Sequence, residues 1–251
     1  MAILRTRFKK DIVCEFLPPQ RPSRKVIVFC KGMPGTPRAD ETLKFWAKKG
    51  FWVFFPRYRG TWESGGEFLK ESPEKDILDV IDELSKGFKD LWTGKRYRLS
   101  VVGRKLFVFG GSFGGPAAIL CSRDPRVTKA VAFASIYDWG AETPDEPMDK
   151  LGRFIPKAFG KCYRFSSMNW NRLSRGEFYN PVDEMDTIDP KKILLFHAKD
   201  DMVCTYPPAQ VFAQKTGAKL ITLRTGGHFG FNKSVEPRVY RRIKAFLSNA
   251  N

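Results

Sequence analysis

Two short runs of alternating apolar residues open the chain, residues 3–8 and 12–17, joined at Lys9, Lys10 and Asp11. That spacing predicts a β-hairpin. Pro18, Pro19 and Pro22 then end the pattern. Beyond them, short continuous apolar runs alternate with segments of helical period. The runs at 26–30, 52–55, 106–109, 130–134, 193–196 and 220–223 read as strands buried on both faces. A helix is predicted over 40–49, closed by Gly50. Another starts at Ser72-Pro73-Glu74, with Ser as cap, Pro in the first turn and acids after it; its Ile77, Val80, Ile81 and Leu84 share one face. Helices over 113–121, 210–215 and 235–247 complete the set. Strands alternating with helices imply an α/β chain: a mostly parallel central sheet of about eight strands, flanked by helices.

Residues 138–189 break this rhythm. The stretch is rich in aromatics, among them Trp139, Phe154, Phe159, Tyr163, Phe165, Trp170 and Tyr179, and it is too long for a simple connection. The expectation is a single domain over 1–251 with 138–189 inserted as a helical lid over a pocket.

Composition narrows the class. At 42% hydrophobic residues the chain can bury a core, which excludes a disordered chain. Lys and Arg total 44 against 27 acids, a net charge of +17. The basic residues are spread along the chain and accompany no nucleic-acid motif. They read as a solvated exterior, and no nucleic-acid partner is expected. Five cysteines without a C-x-x-C pair, and only two histidines, argue against zinc and for free thiols in a reducing compartment. No metal or cofactor is expected. No apolar run approaches a signal peptide or a membrane span, so the expectation is a cytoplasmic chain without a membrane partner.

The sharpest chemical signal is Gly110-x-Ser112-x-Gly114, directly after a predicted strand and directly before a predicted helix. A serine on such a tight turn needs small neighbours, and the helix N-terminus behind it favours developing negative charge. A serine nucleophile needs a base. His228 lies in a Gly-rich loop between the last strand and last helix, free to reach over Ser112; His197 closes a strand, where a structural role fits better. An orienting carboxylate is expected between Ser and His in chain order, and Asp200 and Asp201 both follow a strand there. Local physics does not choose between them.

Four patches now resemble the α/β-hydrolase superfamily, nearest its prolyl-oligopeptidase-like and dienelactone-hydrolase-like branches. Residues 31–35 (KGMPG) are similar to the family's HG-x-PG oxyanion loop, with Lys31 in place of the usual His. Residues 56–68 (PRYRGTWESGGEF) resemble the family's YRG loop, and GGSFGG its nucleophile elbow. His197 to Asp201 with Gly227-His228 resembles HG-x-x-D followed by GH, with Ala198 replacing the Gly and Cys204-Thr205 the usual Val-Pro. The resemblance implies the α/β-hydrolase fold, a Ser112–His228–Asp201 triad, and an oxyanion hole from the backbone N–H groups of Met33 and Phe113, since Pro34 has none to give.

The implied chemistry is acyl transfer to water through an acyl-enzyme. The 251 residues hold no propeller of the kind that meters peptides in oligopeptidases, so the expected substrate is a small-molecule carboxylic ester. Trp62, Trp139 and Trp170 are candidates to line a pocket for medium-chain or aromatic acyl groups. The alternatives are a small serine peptidase, and a non-catalytic binding protein on the same fold.

Overall fold

The computed structural model describes residues 2–141 and 143–249. The predicted hairpin forms as β1 (Leu4–Phe8) and β2 (Ile12–Leu17), antiparallel, with Leu4 opposite Phe16. The remaining strands of the main sheet are β3 (Lys25–Cys30), β4 (Trp52–Pro56), β7 (Lys105–Gly111), β8 (Val127–Phe133), β9 (Ile193–Ala198) and β10 (Lys219–Leu223). They lie in the order β1-β2-β4-β3-β7-β8-β9-β10. All pairs from β4 to β10 are parallel, so the eight-stranded, mostly parallel sheet matches the expectation. A second, two-stranded sheet was not anticipated: β5 (Phe88–Lys89) pairs with β6 (Arg96–Tyr97). Strands of two residues carry no period to detect.

The two-residue alternation of strands sorts the core into layers. Ile27, Phe29, Val53, Phe55, Phe107 and Phe109 face one side. There they meet Leu43, Trp46 and Ala47 of α1 (Asp40–Lys48) and Val239, Ile243 and Leu247 of α7 (Pro237–Ser248). Trp46 is buried, and its Nε1 donates to Ser234 Oγ at 3.0 Å, so its one polar atom is satisfied. Val26, Val28, Leu106 and Val108 face the other side, against Ile77, Val80 and Ile81 of α2 (Glu74–Glu83) and Ala117, Ala118 and Leu120 of α3 (Gly114–Cys121). Further along that side, Ala209 and Phe212 of α6 (Tyr206–Thr216) cover Ile193 and Leu195. A buried Phe contributes roughly 1.5–3 kcal/mol, so layers this rich in Phe supply much of the stability.

The chain runs from β3 outward to β4, then returns past β3 to β7 and continues the opposite way. The carboxyl ends of β3 and β7 therefore flank a topological switch point, where open α/β sheets place their sites. The register brings those ends level, with Cys30 beside Gly110, Gly111 beside Phe133, and Phe133 beside Phe196.

Between β8 and β9 lie α4 (Met148–Phe159), α5 (Ser167–Ser174) and 3-10 turns. Trp139, Ile155, Tyr163, Trp170, Leu173 and Tyr179 are buried, and they extend the core layer of the α2/α3 side. Among the described residues, no helix is long and apolar enough to cross a membrane.

Candidate active site

Ser112 sits between β7 and α3 at φ +54°, a conformation that costs a non-Gly residue energy and persists only when its surroundings enforce it. The enforcement is close packing. A Cβ on Gly110 would lie 1.9 Å from Gly114 O, and one on Gly114 2.2 Å from Cys30 O. Those approaches explain why the motif needs glycine on both sides of Ser112. Gly111 packs as tightly on the other flank: its Cβ would fall 2.7 Å from the Cα of Gly230, in the loop that carries His228.

That loop follows β10, and its position is set by the two adjacent aspartates. Asp200 is exposed and accepts from Gly226 N (3.1 Å) and Gly227 N (2.9 Å); these bonds hold its carboxyl below the usual carboxylate range. Asp201 is buried and points the other way. Its Oδ1 accepts from the backbone N–H groups of Val203 and Cys204, both at 2.9 Å. Its Oδ2 lies 2.9 Å from His228 Nδ1. A carboxylate there fixes the Nδ1–H tautomer and leaves Nε2 free to accept a proton. The two aspartates that local sequence physics left open thus do different things: Asp201 faces His228, and Asp200 holds the loop.

His197 is fully buried at the end of β9, and burial lowers its pKa, favouring the neutral ring. Its Nε2 donates to Cys204 O at 2.7 Å, and it stands 3.6 Å from Asp201 Oδ2. It braces the Asp201 loop, as its position at a strand end suggested.

Ser112 and His228 line one open cleft of about 380 Å³, with Gly32, Met33, Pro34 and Gly35 on one side and Glu146, Gly230 and Phe231 among the other walls. The structure shows no hydrogen bond between Ser112 and His228. Serine–base contacts are often long before substrate binds. Neither Met33 N nor Phe113 N has an acceptor among the described residues. Two unsatisfied N–H groups beside a strained serine are suited to bind an oxyanion.

The three tryptophans lie elsewhere; none lines this cleft. Trp139 is buried, donating Nε1 to Tyr179 O at 2.8 Å. Trp170 is buried and donates Nε1 to Met148 O at 2.9 Å. Trp62 is in the 57–68 loop, where its N donates to Cys162 O at 2.8 Å. Composition flags an aromatic residue without saying whether it packs a core or a pocket. Sequence reasoning also missed Glu146, which lies between Asp145 and Pro147 in the cleft wall. Its carboxylate has no partner among the described residues, and burial raises its pKa against the opposing effect of His228. No local motif marks it.

The family model for the prolyl oligopeptidase family matches residues 37–251. A sequence search of curated proteins found no match. Among solved structures, the esterase Pf2001 of Pyrococcus furiosus is similar over 99% of this chain and 91% of its own, at 16% identity and a TM-score of 0.68. The acylaminoacyl peptidase of Pyrococcus horikoshii matches 98% of this chain but 40% of its own, at 17% identity and a TM-score of 0.63. Est1E of Butyrivibrio proteoclasticus, with ferulic acid bound, matches 98% of this chain and 96% of its own, at 14% identity and a TM-score of 0.59. The sheet order, the Ser112 turn and the family match agree, and the chain belongs to the prolyl oligopeptidase family of α/β-hydrolase-fold serine hydrolases.

Proposed function

We propose that the protein is a carboxylesterase working through Ser112, His228 and Asp201. The observation that carries this reading is the 2.9 Å contact from His228 Nδ1 to buried Asp201, with His228 and the strained Ser112 lining one cleft. Ser112 Oγ attacks the ester carbonyl while His228 Nε2 takes its proton. Asp201 keeps the tautomer and stabilises the imidazolium. The N–H groups of Met33 and Phe113 bind the oxyanion, each worth about 3 kcal/mol of transition-state stabilisation. His228 then protonates the departing alkoxide. Water attacks the acyl-enzyme with His228 as base, and the acid leaves as Ser112 regains its proton.

The cleft sits near the lower end of ligand-pocket volumes, and Met33, Phe55 and Phe231 give it an apolar lining. It favours acyl chains of short to medium length over bulky aromatic ones. Residues 138–189 contribute Glu146 as a wall of the cleft, in keeping with a capping role for the insertion. The esterase Pf2001, matched over nearly its full length, supports the ester assignment.

Glu146 favours a second reading. A carboxylate that lines the cleft with Ser112 and makes no hydrogen bond or ion pair among the described residues suits a substrate with a free amine, which points to a peptidase or aminoacyl esterase. The test is hydrolysis of p-nitrophenyl esters of graded chain length beside aminoacyl p-nitroanilides. Wild type should cleave the esters, Ser112→Ala should lose activity by at least about 10³-fold and Asp201→Asn by roughly 10³–10⁴-fold. Cleavage of the anilides alone would replace the esterase reading with the peptidase one. A folded wild type inert towards both would leave a binding protein.

A further inference from the structure

We propose that Lys31 and Tyr163 are positioning residues that lock the loop carrying the Met33 N–H against Ser112. The proposal rests on the hydrolase reading above. Lys31 is a lysine with 7% exposure where the family pattern has histidine.

The Lys31 ammonium points back into its own loop. Nζ donates to Gly32 O at 3.0 Å, to Gly35 O at 2.5 Å, and to the Tyr163 hydroxyl at 3.2 Å. As an ammonium, Lys31 has three N–H bonds and three acceptors take them; as the neutral amine it keeps two, for the Gly32 and Gly35 carbonyls, and its lone pair accepts from the Tyr163 hydroxyl, so the same three contacts are satisfied in either state. Tyr163 is equally saturated. Its hydroxyl accepts from Lys31 Nζ and from Gly35 N (3.1 Å), and it donates to Gly35 O (3.1 Å). The two side chains therefore clamp both ends of the 32–35 turn, and Met33 lies inside the clamp. A network with every member satisfied is rigid, and losing one member leaves buried partners unpaired.

The turn it holds is in contact with the nucleophile. A Cβ on Gly32 would lie 3.2 Å from Gly111 O and 3.4 Å from Ser112 Cβ, so Gly32 rests on the serine turn. Movement of 32–35 changes the distance from Met33 N–H to any oxyanion on Ser112. Tyr163 cannot follow such a movement. It bridges Thr61, its neighbour Arg164 donates its N to Gly60 O at 2.8 Å, and its ring packs on Phe68 and Phe159. Tyr58 adds a third hold, donating its hydroxyl to Lys31 O at 3.3 Å. The insertion thereby fixes the turn that carries Met33, through Gly35, 128 residues away in sequence.

Oxyanion donors act in the transition state, so their misplacement lowers kcat and leaves KM nearly unchanged. The experiment measures p-nitrophenyl ester hydrolysis by wild type, Lys31→Met, Lys31→His, Tyr163→Phe and Ser112→Ala. A trifluoromethyl ketone, which binds as an oxyanion on serine, is titrated in parallel. Lys31→Met should lower kcat by about 10–100-fold with KM within about threefold, and weaken the ketone by a similar factor. Lys31→His, which restores the family's residue, should recover part of the loss. Tyr163→Phe removes one hydroxyl and should lower kcat by roughly three- to tenfold. A double variant, Lys31→Met with Tyr163→Phe, should lose much less than the product of the two single losses, because the two side chains act as one clamp. Should Lys31→Met fail to fold, Tyr163→Phe carries the test.

Variants within twofold of wild type, in a protein whose Ser112→Ala form is inactive, would overturn the clamp and leave the hydrolase reading intact. Losses expressed in KM, or with the ketone affinity unmoved, would also overturn it. Activity persisting in Ser112→Ala would instead remove the hydrolase reading beneath it.

Discussion

Lys31 places a cation where water is scarce, and that has a measurable signature in stability. Burial pushes its pKa down from 10.5 to about 7, with repulsion from the Arg57 guanidinium adding to the effect. The groups facing the ammonium are the Gly32 and Gly35 carbonyls and the Tyr163 hydroxyl. None is a carboxylate that would hold the proton. The unfolded chain keeps this proton up to about pH 10.5, whereas the folded chain releases it near pH 7. Between those values the unfolded state binds more protons, so the folded state gains stability as pH rises. Below pH 7 the burial cost is fully present; it has vanished above pH 10.5. From pH 7 to pH 9 the difference in bound protons grows from about one half to nearly one, averaging about 0.85. Each pH step is worth about 1.4 kcal/mol per proton, so wild type gains about 2 kcal/mol over that range. Lys31→Met lacks this contribution. Urea unfolding of both proteins at pH 7, 8 and 9 isolates it, because lost hydrogen bonds and altered packing cancel in the pH-dependent difference. With an m-value of about 3 kcal/mol/M, the wild-type midpoint should rise by roughly 0.7 M relative to the variant. Midpoints that stay parallel within about 0.2 M would show that the ammonium is not suppressed by burial, and the reasoning would fail.

Asp200→Ala removes the acceptor of Gly226 N and Gly227 N, so His228 loses its fixed approach; activity should drop about tenfold with Tm nearly unchanged, by steady-state kinetics and thermal melting. Gly114→Ala drives a Cβ to 2.2 Å from Cys30 O, at the carboxyl end of the central strand β3, and should destabilise by more than about 4 kcal/mol or prevent soluble expression. Tyr179→Phe removes a buried hydroxyl that donates to Phe113 O (2.6 Å) and accepts from Ala117 N (3.0 Å); two unpaired backbone groups should cost about 1–3 kcal/mol in urea unfolding.

What was legible in the sequence was local. The hairpin, the buried strands and the Ser112 turn depend on periods and small residues within about ten positions, and all appear where the pattern places them. The choice of Asp201 over Asp200 needed the family pattern, because adjacent side chains diverge and nothing in the string says which faces inward. In the structure the reason is plain: Asp201 Oδ1 is drawn under the 201–204 turn by two N–H donors, which aims Oδ2 at His228. The aromatic residues were the least legible. Trp139 and Trp170 share composition and neighbourhood with pocket linings, yet each buries its indole N–H against a backbone carbonyl of the insertion itself.

Residues 138–189 also bear on the cleft. Read from the sequence, residues 138–189 are a cover. In the structure they reach under the site twice: Tyr163 grips the turn that carries Met33, and Tyr179 grips the carbonyl of Phe113. The two backbone segments suited to hold an oxyanion come from different ends of the sheet's switch point, and neither is tied to the other by β-pairing beyond Cys30 and Gly110. Both are tied to one helical body with buried aromatic packing of its own. A cover that moved as a unit would disturb both donors together. Residues 138–189 are thus tied to both segments, at Tyr163 and at Tyr179. Glu146 stands apart from both grips: its side chain lines the cleft and makes no hydrogen bond or ion pair among the described residues.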